Sequence, residues 1–548
     1  MKNIFRSLAI AALIASSVLV VSCGGGKEPV GPTPDKPDNP DQPKDTTTVA
    51  KDTSATGGGV LPQLKLPPDT VLQLIPEAAK SITSNIFGYN TQTIQGSAPA
   101  WNDPLFLNSI RELNPGNFRY PGGTIGNFWN WQTGDYIDES YRTIAINGKN
   151  IYTLDDVKGV YDRSGGHTIP IYMVNPLTSN LEHEVAGLKY AQSIGLPVTC
   201  IELGNELYLD NYNSVNAATS VYLQGYPWIR NYADTCLKWT VRFRQEFPNA
   251  SIALIGVSNP TSWAAARTRV RSWNDSLMVY LTNPAFGHTG IQCDAITIHD
   301  YAKNNNGNLM GPLDLINSML SAATNKVLDP SIYDKYRLWV TEYNMTSNQN
   351  GLAGSWADGL ASLLMSAEFI VTPRIDYICF FDLAGSQDAG ALYNKDVKVT
   401  TDPAQGAVTV RKDSISASGR AMTLLANAQQ EANSVCVMDF TPVNPTITAP
   451  ISGKALNTLW AFRFGSATTP AAVLVNIGGT SQYVSLQGLA FPLHRAEQLW
   501  APTLTRQIVS MDTSPGETFS NGDYKRQYID LSTTSVITLR PYSATLVK

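Results

Sequence analysis

The chain has 548 residues, a formal net charge of −5 and a charged fraction of 16%, below the roughly 25% typical of soluble domains. That balance supplies no basic patch for nucleic acid, and the length exceeds what one small domain needs. The six cysteines, Cys23, Cys200, Cys236, Cys293, Cys379 and Cys436, include no CxxC pair, and the five histidines form no HExxH or His/Asp cluster, so neither a metal nor any other cofactor is expected.

At the N-terminus, Lys2 and Arg6 precede the apolar run "LAIAALIASSVLVV", which is too short for an ordinary membrane span. The run stops at "VVSC", then "GGG". Ser22 before Cys23 resembles the lipobox of bacterial lipoproteins, in which the cysteine is lipidated and becomes the mature N-terminus. An ordinary signal peptide with a chance cysteine is the plainer alternative. Residues 1–23 are thus read as a lipoprotein signal peptide. Cys23 becomes the lipid anchor of an exported bacterial protein held on a membrane, the outer membrane on its periplasmic or cell-surface side, without spanning it. Residues 24–59 contain "KEPVGPTPDKPDNPDQPKDTTTVAKDTSATGGG", rich in proline and acid and poor in large apolar residues. Such a segment buries too little surface to fold and reads as a tether. At about 3.1 Å per residue it reaches up to roughly 100 Å.

Beyond the tether, "DTVLQLI" (69–75) reads as a strand in a segment, 60–80, that joins a C-terminal sheet domain. Eight short apolar runs follow: 84–90, 116–122, 168–174, 197–206, 251–258, 293–301, 337–344 and 375–383. Amphipathic stretches such as "LEHEVAGLKYAQSIG" and "RNYADTCLKWTVRFRQEF" alternate with them, apolar at steps of three and four. Near-continuous apolar strands alternating with helices indicate a parallel sheet covered on both faces. Eight such units over residues 81–430 predict a (β/α)8 TIM barrel. A doubly wound open sheet is the alternative, but "GGTIGN" (122–127) lacks the GxGxxG spacing. From 431 to 548 the chain is β-branched and turn-rich, as in "TLWAFRF" and "AAVLVNI". This predicts an antiparallel β-sandwich.

Catalytic groups in a (β/α)8 barrel project from the C-terminal ends of the strands. The second predicted strand ends in Arg119 and Tyr120, the third is followed by Asn175, and the fourth ends in Asn205 and Glu206. The sixth ends in His299, Asp300 and Tyr301, the seventh in Glu342, Tyr343 and Asn344, and the eighth in Asp382. Ends four and seven lie nearly opposite each other in an eight-strand ring, so Glu206 and Glu342 face one another across the mouth. Two facing carboxylates are the minimum equipment for cleaving a glycosidic bond: one protonates the leaving oxygen and the other attacks the anomeric carbon. A separation of about 5–5.5 Å gives a covalent intermediate and net retention, whereas a wider gap admits water and inverts. Asn205 is expected to hydrogen-bond a sugar hydroxyl, and Tyr301 to donate to Glu342.

"GNE" (204–206) and "TEYN" (341–344) resemble the acid/base and nucleophile motifs of clan A retaining glycoside hydrolases. "FRYPGGTIGNFWNW" (118–131) resembles the Arg-Tyr-Pro-Gly-Gly segment of family 51 α-L-arabinofuranosidases and, more loosely, the heparanase-like β-glucuronidases of family 79. The resemblance implies that Glu206 is the acid/base, Glu342 the nucleophile, and Arg119 and Asn205 substrate-site residues. It implies a carbohydrate substrate: an α-L-arabinofuranoside first, with a β-glucuronide or a xylan- or glucan-type glycoside as runner-up.

Competing readings accompany several of these residues. Glu202 shares a strand face with Glu206 and competes with it, but lies deeper and is expected to be an internal polar residue or ion-pair partner. His299 has a general-base reading, but is expected rather to shape the sugar site or pair with a neighbour. Trp129, Trp131, Tyr208, Tyr343 and Tyr393 are either core or platforms for sugar rings; Trp129 and Trp131, in a polar loop, are favoured as platforms, and Tyr120, at its strand end, is expected to contact substrate. No GxSxG elbow is present, "GVSNP" carrying proline at its end, and there is no Walker loop. A non-catalytic surface glycan-binding protein on a barrel scaffold is the alternative from another functional class.

Overall fold

The computed structural model describes residues 70–91, 101, 103–137, 152–209, 221–265, 267–302, 311–325, 335–345, 351–384, 390–393, 395–402, 406–520 and 522–548. The expected leader, the lipidation site Cys23 and the tether lie outside these residues. No helix among the described residues is long and apolar enough to cross a membrane.

Eight parallel strands close into a barrel: β1 Phe87–Asn90, β2 Asn117–Tyr120, β3 Ile169–Val174, β4 Cys200–Leu203, β5 Ser251–Ile255, β6 Ala295–Ala302, β7 Arg337–Met345 and β8 Ile375–Phe380. Each coincides with one of the eight apolar runs, β6 and β7 ending one residue past theirs, and β8 returns to pair with β1. Helices follow the strands in turn: α1 Pro104–Leu113, α2 Leu154–Arg163, α3 Leu181–Ser193, α4 Ile229–Glu246, α5 Thr268–Thr282, α6 Pro312–Asn325, α7 Trp356–Val371 and α8 Ala417–Gln429. This is the predicted (β/α)8 barrel; the open sheet is excluded.

Local chemistry sets the helix starts. In α2, Thr153 accepts from the Asp156 backbone N–H while Asp156 accepts from that of Thr153, a reciprocal capping box. In α7, the Ser355 side chain accepts from the Asp358 N–H. That helix is buried almost all round, because it packs against α6, α8 and the C-terminal domain. A helix with no solvent face shows little amphipathic pattern, which is why "WADGLASLLMSAEFIV" is apolar on all sides.

The C-terminal strands form an antiparallel β-sheet domain folded into two layers, and the strand Ser434–Thr441 belongs to both. Its first half pairs with Leu459–Gly465, from Ser434↔Gly465 to Val437↔Phe462. Its second half pairs with Val71–Pro76, from Met438↔Pro76 to Thr441↔Gln73. Leu72 and Leu74 thereby enter a core with Phe440, Leu474, Val484 and Leu539. The connection 501–524 of this domain reaches the barrel: Trp356 N–H donates to Arg506 O and Ala357 N–H to Leu504 O, both at 2.8 Å. The Tyr393 hydroxyl donates to Ile508 O, so Tyr393 belongs to this contact.

Candidate active site

Residues at alternate positions of each barrel strand face the interior. At the N-terminal end, Ile171, Cys200, Ala253, Ala295, Trp339 and Cys379 form one apolar layer contributed by six strands. Further along, the interior turns polar. Arg119, from β2, is fully buried; its Nε and Nη2 donate to the two oxygens of Glu202 at 2.6 and 3.0 Å. Nη2 also donates to Asn205 Oδ1 at 2.8 Å, and Nη1 to Glu342 Oε1 at 2.7 Å. Glu202 therefore has the ion-pair role weighed for it, and Arg119 ties strands β2, β4 and β7 together.

Glu342 reaches this network through an irregularity. The β6–β7 register runs Ile298↔Val340 and then His299↔Glu342, leaving Thr341 as an extra residue on β7. Such a bulge re-aims side chains. Thr341 and Glu342, although consecutive, both point inward: the Thr341 hydroxyl donates to Glu202 Oε1 at 3.0 Å, while Glu342 meets Arg119. The Tyr301 hydroxyl donates to Glu342 Oε2 at 2.7 Å, and Asn90 Nδ2 at the end of β1 donates to Oε1 at 3.3 Å.

Glu206 lies just beyond β4. Gly204 has φ +87, and an added Cβ would lie 3.0–3.2 Å from Pro176, Leu207 and Ile255. Glu206 itself is left-handed, with φ 45, a conformation uncommon for a non-glycine residue. The Asn127 side chain clamps the intervening residue, accepting from Asn205 N–H at 3.0 Å and donating to Asn205 O at 2.7 Å. This sharp turn brings the carboxylate inward, where the Tyr208 hydroxyl donates to Oε1 at 2.9 Å and His299 Nδ1 lies 3.0 Å away. The same nitrogen is 3.5 Å from Glu342 Oε2, so the imidazole sits between the two carboxylates.

One oxygen of Glu206, one of Glu342 and one His299 nitrogen lie within 4.8 Å of one another. Burial alone would raise the Glu206 carboxyl, but His299, Tyr208 and Arg119 more than offset it and hold it below its ordinary value. Burial alone would lower His299, yet Glu342 and Glu206 lift it above the ordinary imidazole value. Both directions favour an ion pair, with the shared proton on the imidazole. A divalent cation here would face the Arg119 guanidinium already seated on Glu342, and both carboxylates already accept from tyrosine hydroxyls. The donor set fits proton transfer rather than metal binding. Asn205 Nδ2 is buried and has no hydrogen-bond partner, which leaves a donor available beside Glu206.

The structure does not gather every residue singled out in the sequence. Tyr120 and Tyr343 neighbour Arg119 and Glu342 in sequence but face the helix layer. The Tyr120 hydroxyl donates to Tyr152 O and accepts from Trp129 Nε1, and that of Tyr343 hydrogen-bonds Ser366 on α7. Both are buried, as is Trp129. Trp131 packs on α3, stacked with Tyr190 and donating to His183 O. Its ring lies 2.8 Å from where a Cβ at Gly187 would stand, so only glycine fits there. As placed, these four side chains pack the fold and none of them lines the mouth. In the other direction, Asn90 and Asn127 carried no site role in the sequence. Asn90 ends a barrel strand in a polar group, the same signal that marked Asn205; Asn127 lies in a short 3-10 turn, Thr124–Phe128, and gave none.

No protein-family model matches the chain, and no curated protein sequence does. Among solved structures it is similar to the GH51 α-L-arabinofuranosidase of Thermotoga petrophila RKU-1, at 14% identity over 87% of this chain and 99% of that one, with a TM-score of 0.56. It is similar to AbfB, a family 51 α-L-arabinofuranosidase of Bifidobacterium longum, at 14% identity over 88% and 99%, TM-score 0.57. It is also similar to a 4-O-α-L-rhamnosyl-β-D-glucuronidase of Fusarium oxysporum 12S, at 15% identity over 87% and 100%, TM-score 0.50. At these identities the likeness is one of fold.

Proposed function

We propose that this protein is a retaining glycoside hydrolase in which Glu206 is the acid/base and Glu342 the nucleophile. The observation that carries the proposal is the approach of their oxygens to within 4.8 Å, the spacing of a double-displacement enzyme rather than of one that seats a water between its carboxylates. Glu342, oriented by Arg119, Tyr301 and Asn90, attacks the anomeric carbon and forms a glycosyl ester as the leaving oxygen takes a proton from Glu206. Glu206 then removes a proton from the water that cleaves the ester. In the free site that proton is shared with His299, and substrate entry transfers it to Glu206. The free Asn205 amide donates to a sugar hydroxyl beside the reacting carbon.

The substrate proposed first is an α-L-arabinofuranoside of a plant polysaccharide, supported by the Arg119 segment and by the fold shared with family 51 structures. A β-glucuronide is the second reading, supported by the likeness to the Fusarium enzyme. Anchoring at Cys23 as an exported lipoprotein completes the proposal, supported by the Ser22–Cys23 junction and the tether that follows it. It is tested by whether the expressed protein incorporates a radiolabelled fatty acid that the Cys23→Ala variant does not.

The test of activity compares variants across a panel of aryl glycosides. Glu342→Gln is expected to lose roughly 10⁴-fold or more in turnover with its fold intact. Glu206→Ala is expected to lose about 10²- to 10⁴-fold with poor leaving groups and little at the first step with very good ones, which need no proton. An equal loss on every leaving group contradicts the role of Glu206. Binding of glycans without hydrolysis by the unaltered protein would favour the glycan-binding alternative.

A further inference from the structure

We propose that Glu202 is a positioning residue for the Glu206–His299 pair: by cancelling the charge of Arg119 it keeps that pair protonated through neutral pH. The proposal rests on the glycosidase reading above and extends it to a residue that never meets substrate.

Glu202 and Arg119 are both fully buried. The two oxygens of Glu202 accept three hydrogen bonds, two from Arg119 and one from Thr341. Both act only as acceptors, which is the arrangement of a carboxylate and not of a carboxylic acid. This bidentate grip fixes the plane of the guanidinium and leaves Nη1 to reach Glu342. The charge count follows. Arg119 and Glu202 cancel, so the rest of the cluster consists of Glu206, Glu342 and His299. With Glu342 as the carboxylate nucleophile and one proton shared by Glu206 and His299, that remainder carries a single negative charge, which favours keeping the proton until a leaving group takes it.

Without the Glu202 charge, Arg119 stands uncompensated beside both catalytic carboxylates and favours loss of that proton. The groups packed around the cluster from other elements are Asn90 at the end of β1, Tyr301 on β6, Cys379 on β8 and Tyr208 after β4. Burial pushes the thiol and both phenols well above their ordinary values, so none carries charge at neutral pH. Asp382, beyond β8, is the remaining acid that acts on Tyr301.

The test is the pH profile of kcat/KM for the full chain, its Glu202→Gln variant and its Glu202→Asp variant. In E202Q the basic limb, which reports the proton donor, is expected about one pH unit lower. In E202D, which keeps the charge, the limb stays in place even as kcat falls. A basic limb unmoved in E202Q, or displaced equally in E202D, would overturn the proposal, because a structural role alone predicts no such split. Should E202Q fail to fold, the protonation state of His299 is read in the unaltered protein by NMR of labelled histidine, assigned by the signal lost in His299→Gln. A protonated ring at pH 7 supports the proposal, and a neutral one overturns it. If the unaltered protein cleaves no glycoside, the glycosidase reading fails by itself, while the histidine titration still decides the charge claim.

Discussion

At one end of the barrel the interior is closed by Ile171, Cys200, Ala253, Ala295, Trp339 and Cys379, whereas a few residues further along the strands it holds Arg119, Glu202, Asn205, His299, Tyr301 and Glu342. The strands, the twist and the burial are shared; only the chemistry differs. At the apolar end, each side chain removed from water adds to stability. At the polar end, each charge removed from water costs free energy unless it is paired, and the pairing is dense: Arg119 alone contacts three acceptor residues. The apolar layer offsets what the mouth costs and gives the carboxylates a rigid frame.

Substitutions at the two ends should therefore separate stability from turnover. The largest effect on stability is expected from Trp339→Ala in the apolar layer, about 3–5 kcal/mol by denaturant unfolding, with kcat per folded molecule unchanged. A large fall in kcat at full folding would mean that the two ends are not independent. Tyr301→Phe, at the polar end, removes one hydrogen bond to the Glu342 carboxylate. It is expected to cost about 10- to 100-fold in kcat/KM with little change in unfolding. The smallest effect is expected from Tyr343→Phe, one residue from Glu342 but facing α7: about 1 kcal/mol of stability and no change in kcat. A kinetic defect there larger than that of Tyr301→Phe would reverse the assignment of faces.

The contrast between Tyr301 and Tyr343 also marks how far the sequence could be read. The eight barrel strands were legible because each is a short apolar run between helical stretches, and the resulting barrel places the ends of β4 and β7 across one mouth. Period-two alternation turns Tyr120 and Tyr343 away from the site once Arg119 and Glu342 face inward, whereas residue type and adjacency to the motifs alone place both in it. The bulge at Thr341 was not legible, since an extra residue in one strand is defined only by its partner's register. Nor was the packing of Trp129 and Trp131: a short hairpin, Trp129–Asn130 with Asp135–Tyr136, folds that polar-looking loop onto Tyr120 and α3. Glu202 was recognised as an internal partner from its spacing, while its bond to Arg119 needed the closed barrel.

The most direct measurement is the anomeric configuration of the first product. With an aryl α-L-arabinofuranoside, or whichever glycoside the panel shows to be cleaved, proton NMR in the first minutes, or trapping by methanol, reports it before mutarotation. A product of unchanged configuration is expected, because Glu342 attacks one face of the sugar and the water directed by Glu206 attacks the opposite face of the ester. A product of inverted configuration would mean that no sugar–Glu342 bond forms, and would contradict the pairing of these two carboxylates on a single anomeric carbon.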